Sequence, residues 1–238
     1  MLSLRDIKLD LETKENLLNG VSLDIMPGKL TVITGPNGGG KTSLAKLIAG
    51  LYVPTSGQIL LDGEDISHMS VTDRAKRGIA YAFQQPVAFK GITVRNLMEM
   101  ASGTEMHESA LCRILDRVGL CAREYMDRDM DSRLSGGEMK RIEIATVLAR
   151  PAKYLLFDEP EAGIDLWSFS SLISAFEDLK KDEDRALLII SHQERILNIA
   201  DNVAVIREGV ITQYGTKDEV LPNLMQGGGC SPKGKEMY

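Results

Sequence analysis

Several stretches of the chain are apolar almost without a break: LTVIT (30–34), QILL (58–61), GIAYAF (78–83), KYLLFD (153–158), ALLIIS (186–191) and VAVI (203–206). Continuous apolar runs this short predict strands covered on both faces. Segments with helical spacing lie between them, so the pattern predicts an α/β fold on a mainly parallel sheet. The first 26 residues alternate instead, with Val21, Leu23 and Ile25 on one side and polar or acidic residues on the other. That alternation predicts an antiparallel N-terminal β edge formed with LSLRDIKL.

Between Gln85 and Pro151 strand signals give way to helical ones, such as ESALCRILDRVGL (108–120) and EMKRIEIATVLAR (138–150), the latter stopped by Pro151. This predicts an inserted helical subdomain over 85–150, dividing a core made of 1–84 and 151–222. The glycine-rich, apolar-poor end, 223–238, reads as a flexible tail.

Composition narrows the choice of function. Lysine and arginine total 28 against 34 aspartates and glutamates, a formal charge of −6, which gives no nucleic-acid footprint. The longest apolar runs fall far short of the ~20 residues that span a bilayer, and the charged N-terminus lacks the apolar core of a signal peptide. The expectation is a cytoplasmic protein without a membrane span of its own. The odd cysteine number, Cys112, Cys121 and Cys230, argues against a disulfide framework, and Cys112 and Cys121 read as small buried apolar residues.

Two stretches carry chemistry. GPNGGGKT follows the strand LTVIT and opens the helical pattern SLAKLIAG, so it has both the spacing and the strand-to-helix context of a phosphate loop. Its glycines, Gly35, Gly38, Gly39 and Gly40, let backbone amides curl around phosphate oxygens at a helix N-terminus. Asn37 and Ser43 flank that cradle, Lys41 reaches the β- and γ-phosphates, and Thr42 offers a hydroxyl to Mg²⁺. KYLLFDEP then ends an apolar strand in Asp158 and Glu159, and the turn of chain there allows both to face one crevice. Beside a phosphate loop, such a pair suits a magnesium–nucleotide site, the first acid on the metal and the second on the attacking water. Gln84 and His192 end two further apolar strands, where ligands of such sheets lie.

A third stretch, LSGGE (134–138), has capping-box spacing between Ser135 and Glu138. A cap does not need two glycines, and Gly136 and Gly137 predict close approach of something large to the backbone.

Taken in order, GPNGGGKT, Gln84, LSGGE, Asp158 with Glu159, EAGID with Asp165, and His192 resemble the ATP-binding cassette (ABC) ATPases over roughly residues 1–222. The resemblance implies a P-loop NTPase core, ATP and Mg²⁺ as cofactors, and hydrolysis of ATP to ADP and phosphate. It implies a head-to-tail homodimer, formed with ATP, in which Ser135, Gly136 and Gly137 of one copy close over the γ-phosphate of the other and Asp165 lies at the interface. Gln84 and Asp158 then serve the metal, and Glu159, Gln84 and His192 serve the attacking water and γ-phosphate. Many members stack adenine on an N-terminal aromatic, whereas the first aromatic here is Tyr52, so aliphatic side chains near residues 9–17 are expected to meet the base.

Two jobs fit. AFQQPVAFKGI (82–92) and SHQERIL (191–197) resemble the SufC-type ATPases of iron–sulfur cluster assembly, with a SufB/SufD-like scaffold as partner, and this reading is favoured. The alternative, a subunit serving a transmembrane transporter protein, matches the proline after Glu159. In either case Phe89, Ile92, Val94 and Leu97 are the expected docking residues for a partner helix.

Overall fold

The computed structural model describes residues 1–11, 14–131 and 133–226. Cys230, and the predicted tail beyond 226, lie outside the described residues. The principal sheet has six strands, β3 (Leu30–Thr34), β6 (Ile79–Ala82), β7 (Tyr154–Asp158), β8 (Ala186–Ile190), β9 (Asn202–Arg207) and β10 (Val210–Thr216). Their order is β10-β9-β3-β8-β7-β6, parallel except for β10, which pairs antiparallel with β9. Alternate residues of these apolar strands enter two different cores. Leu187 and Ile189 face one, and Ala186, Leu188 and Ile190 face the other, as the pleat requires.

The antiparallel segment is a second sheet rather than an edge of the first. Strands β1 (Leu2–Leu11), β2 (Lys14–Ile25), β4 (Ser56–Leu61) and β5 (Glu64–Asp65) run in the order β2-β1-β4-β5. Val21, Leu23 and Ile25 do share its buried face. QILL, expected in the parallel sheet, belongs here within β4. Only Ile59 and Leu61 of that stretch are buried, the signature of a strand covered on one face.

Helix α1 (Lys41–Ala49) lies between the two sheets, with Leu44, Leu47 and Ile48 in the core they share. Its C-terminal carbonyls are closed from the side by Arg74 of α2 (Val71–Lys76). That fully buried guanidinium donates to the carbonyls of Leu47, Ile48, Ser67 and Met69. Burial holds its pKa at about 10, and the four carbonyl partners explain how a charge sits there at all.

Between 85 and 150 the described elements are helices: α3 (Val94–Ser102), α4 (Glu108–Arg117), α5 (Ala122–Tyr125) and α6 (Gly136–Ala149). Val94, Met98, Leu111, Leu115 and Ile142 join the core on the outer face of the main sheet. Cys112 packs against this core, but Cys121 is exposed at the start of α5, contrary to expectation. Helices α7 (Leu166–Lys180), α8 (Glu194–Ile199) and α9 (Lys217–Gln226) complete the chain. Helix α9 carries through Pro222 and crosses the expected tail boundary at 223. Among the described residues no helix is long and apolar enough to cross a membrane.

Candidate functional site

Residues 35–40 turn from β3 into α1, and neighbouring atoms crowd the side-chain positions of Gly35, Gly39 and Gly40, while that of Gly38 is open. A Cβ on Gly35, whose φ is +137°, would stand 2.1 Å from the Ile206 carbonyl oxygen. One on Gly40 would meet Leu18 Cδ2 at 2.8 Å and the Leu17 carbonyl at 3.0 Å. Strand β9 and the N-terminal sheet therefore press the loop into shape from both sides. A cavity of about 330 Å³ opens in front of it, lined by Leu17, Asn37, Gly38, Gly40, Lys41, Thr42, Ser43 and Gln84. Leu17 belongs to the stretch, residues 9–17, whose aliphatic side chains are expected to meet the base. Glu12 and Thr13 of the same stretch lie outside the described residues.

Lys41 is 6% exposed, and its Nζ donates to the carbonyls of Gly35 at 2.8 Å and Pro36 at 3.0 Å. Burial lowers its pKa, against the opposing fields of Glu159 and Asp158. The ammonium is thus folded onto its own loop at the floor of the cradle.

The acidic end is built at the C-termini of β6 and β7. Asp158 is fully buried; it accepts from the Thr42 hydroxyl at 3.3 Å and from the Tyr81 hydroxyl at 3.0 Å. Burial pushes its carboxyl up, while those two donors pull it down. The chain then turns at Glu159, a non-glycine residue with φ of +45°, whose amide donates to the Ile190 carbonyl at 3.0 Å. A left-handed residue of this kind is strained. It is what brings the second acid round to Gln84, whose Nε2 donates to Glu159 Oε2 at 2.7 Å. Exposed His192 follows β8, next to Ser191, whose hydroxyl donates at 2.5 Å to half-buried Glu161; burial pushes that carboxyl up, while the hydroxyl pulls it down.

Thr42, Asp158, Gln84 and Glu159 therefore converge, and they offer only oxygen and amide donors. A hydroxyl, one carboxylate and the free amide oxygen of Gln84 form a hard, incomplete set of the kind Mg²⁺ accepts when phosphates and water supply the rest. Among the described residues no group of three or more His, Cys, Asp and Glu could hold a metal by itself.

Ser135, Gly136 and Asp165 lie outside this cluster. Ser135 starts α6 with the expected capping box: its Oγ accepts from the Glu138 amide at 3.2 Å, and its own amide donates to Glu138 Oε2 at 2.7 Å. Glu138 is held down at about 2, by the Tyr125 hydroxyl first and then by Ser135. Asp165 caps α7 through the amides of Trp167 and Ser168, each at 3.0 Å.

The two glycines of LSGGE differ. A Cβ on Gly137 would fall 2.6 Å from the Gly163 carbonyl, so this glycine answers to its own chain and not to a visitor. Above Gly136 there is open space. The requirement for glycine at 137 is thus met within the chain, whereas at Gly136 nothing in the chain itself demands it.

Of the expected docking residues, Val94 is fully buried and presents no free face, Leu97 is half-buried against the core and Ile92 is half-buried; Phe89 and neighbouring Val87 are exposed. Sequence reasoning missed Tyr81, Lys140, Glu143 and Glu161. For Lys140 and Glu143 there was a signal. They sit three residues apart in a helix whose apolar residues occupy every side, leaving them little solvent face.

Residues 18–162 match the model of the ABC transporter family, and the chain belongs to it: it is an ABC-family ATPase. A relative in Methanocaldococcus jannaschii, "Uncharacterized ABC transporter ATP-binding protein MJ0035", is 36% identical over 92% of this chain and 90% of its own length. "Sulfate/thiosulfate import ATP-binding protein CysA 1" of Agrobacterium fabrum is 35% identical over 85% of this chain; the match spans 60% of that longer protein. Among solved structures, the post-hydrolysis dimer of the ATP-binding cassette MJ0796 with ADP and Pi superposes with a TM-score of 0.80 at 21% identity, covering 91% of this chain and 99% of that one. These relatives carry transporter and cassette names, and none is named as a SufC-type protein. The favoured assembly reading is thereby displaced by its alternative.

Proposed function

We propose that the chain is the ATP-hydrolysing subunit of an ABC membrane transporter, working as a head-to-tail pair of identical copies that closes on ATP. One observation carries the pairing. The start of α6 has a hydroxyl, free helix amides and open space above Gly136, yet it lies outside its own chain's nucleotide cluster. A helix start of this kind suits a phosphate brought by a second copy.

In this scheme Lys41 exchanges two carbonyls for phosphate oxygens, while Asn37, Gly38, Gly39, Gly40 and Ser43 surround the phosphates. Thr42, Asp158 and Gln84 hold Mg²⁺, which when bound neutralises charge developing on the phosphoryl oxygens. Glu159 polarises the attacking water, its carboxylate aimed by the turn at φ +45° and by Gln84. His192 meets the γ-phosphate, and Asp165 lies where the copies meet. The exposed Leu166 and Trp167 beside it, 69% and 84% accessible, are apolar surface available for burial there.

The transporter assignment draws on the relatives' names, and the transported solute is not carried over from them. A SufC-type role beside a SufB/SufD-like scaffold is the second reading, and AFQQPVAFKGI with SHQERIL favours it. Two experiments test these points. Glu159→Gln should hold MgATP without turnover and accumulate as a dimer in light scattering, and Ser135→Arg in that background should return it to monomer. A dimer that persists in the Ser135→Arg, Glu159→Gln double variant refutes the pairing. Affinity capture from cells should recover a multi-span membrane protein. Recovery of a soluble scaffold from detergent-free extract, with iron–sulfur enzymes failing when the gene is removed, decides for the second reading.

A further inference from the structure

Helix α6 carries two charged side chains that water scarcely reaches. Lys140 is 1% exposed, and its Nζ donates to the carbonyls of Phe83, Gln84 at 3.3 Å and Asp158 at 3.3 Å. Glu143 accepts from the Phe83 amide at 2.8 Å through Oε1, and its other oxygen, otherwise without a hydrogen bond, lies 3.5 Å from Lys140 Nζ. Together the pair holds the backbone of Phe83 by its amide and its carbonyl at once, and the lysine reaches on to Gln84. The same ammonium holds the backbone of Asp158.

The residues so gripped are those of the acidic end. Gln84 reaches Glu159, and Asp158 bonds Thr42 and Tyr81. The helix that grips them begins at Ser135, five residues and roughly 7.5 Å of helix rise before Lys140. Burying a lysine and a glutamate in this way is commonly less favourable than filling the same volume with apolar side chains. Apolar packing, however, lets a helix slide, while charge-assisted hydrogen bonds to three fixed carbonyls do not.

We propose that Lys140 and Glu143 are positioning residues that tie helix α6 to the acidic end of its own nucleotide site, so that movement of the helix start is passed to Gln84 and Asp158. The inference deepens the two-copy reading and rests on it. A phosphate bound by one copy pulls on the other's Ser135, and the clamp delivers that pull to the other copy's metal and water ligands. Each site thereby senses occupancy of its neighbour.

The test is a double variant, Lys140→Met with Glu143→Leu, which removes both charges at similar volume and so avoids stranding either one. A melting curve confirms its fold. The clamp predicts MgATP affinity within about threefold of the unaltered chain, a kcat lower by about tenfold or more, and a Hill coefficient for ATP that falls toward one. Unchanged kcat and Hill coefficient in the folded double variant overturn the proposal. Loss of binding in step with turnover and melting temperature also overturns it, since that marks a pair serving the fold alone. The underlying reading is scored separately on the unaltered chain, where hydrolysis without any cooperativity in ATP counts against two-copy closure itself.

Discussion

Adding one methyl group to each glycine of the pair 136–137 separates what the start of α6 does within its chain from what it does beyond it. At Gly137 the new Cβ would stand 2.6 Å from the Gly163 oxygen, against 3.4 Å for ordinary contact. The loop bearing Gly163, two residues before Asp165, must therefore retreat by about 0.8 Å, an overpacking that costs about 1–3 kcal/mol. For a chain of this size that lowers the melting temperature by on the order of 5 °C. At Gly136 nothing lies within 4 Å, and alanine is the better helix former by up to about 1 kcal/mol. Gly136→Ala should thus melt at or slightly above the unaltered temperature, yet hydrolyse ATP at least about tenfold more slowly, because in the proposed pairing the methyl stands where the other copy's phosphate approaches the amides. Calorimetry and a steady-state phosphate-release assay on the two variants decide it. Full turnover in Gly136→Ala refutes the close approach at that residue, and an unshifted melting point in Gly137→Ala refutes the steric account of its neighbour.

Lys41→Ala should lose most MgATP affinity and nearly all hydrolysis; nucleotide titration and phosphate release near the unaltered values would remove the phosphate-loop assignment. Tyr81→Phe deletes a donor that holds the Asp158 carboxyl down, so the acidic limb of the kcat/KM profile should move to higher pH; an unmoved limb means Tyr81 does not tune this acid. Glu138 is depressed from 4.5 to about 2, so its contribution to stability is complete above pH 4.5 and disappears as pH falls toward 2. Urea midpoints of Glu138→Gln should accordingly lose part of the acid slope seen in the unaltered chain, and parallel slopes would refute that linkage.

The parts of the fold that could be read from the chain were those in which local pattern and tertiary role agree. LTVIT, KYLLFD and ALLIIS became β3, β7 and β8 because a strand buried on both faces has no polar face to confuse the pattern. QILL misled because four residues are too few to show that only Ile59 and Leu61 turn inward. The phosphate loop and the turn at Glu159 were legible, being local in sequence. Tyr81 was not, since its partner Asp158 lies 77 residues away and no local pattern announces that pairing. Lys140 and Glu143 escaped for a different reason: charged side chains on a helix ordinarily mark a solvated face, and the apolar residues on every side of this helix, the signal against such a face, do not say which carbonyls and amide the two charges meet.

The placement of Lys41 has one more consequence. Because its ammonium is already satisfied by the Gly35 and Pro36 carbonyls, an arriving anion gains only the difference between its own oxygens and those two. A lone phosphate or sulfate, engaging a few amides of the loop, has few oxygens to set against that internal arrangement. A nucleoside triphosphate presents several charged oxygens to the loop and the lysine together. The two carbonyls thus act as a built-in competitor that any anion has to displace from the lysine.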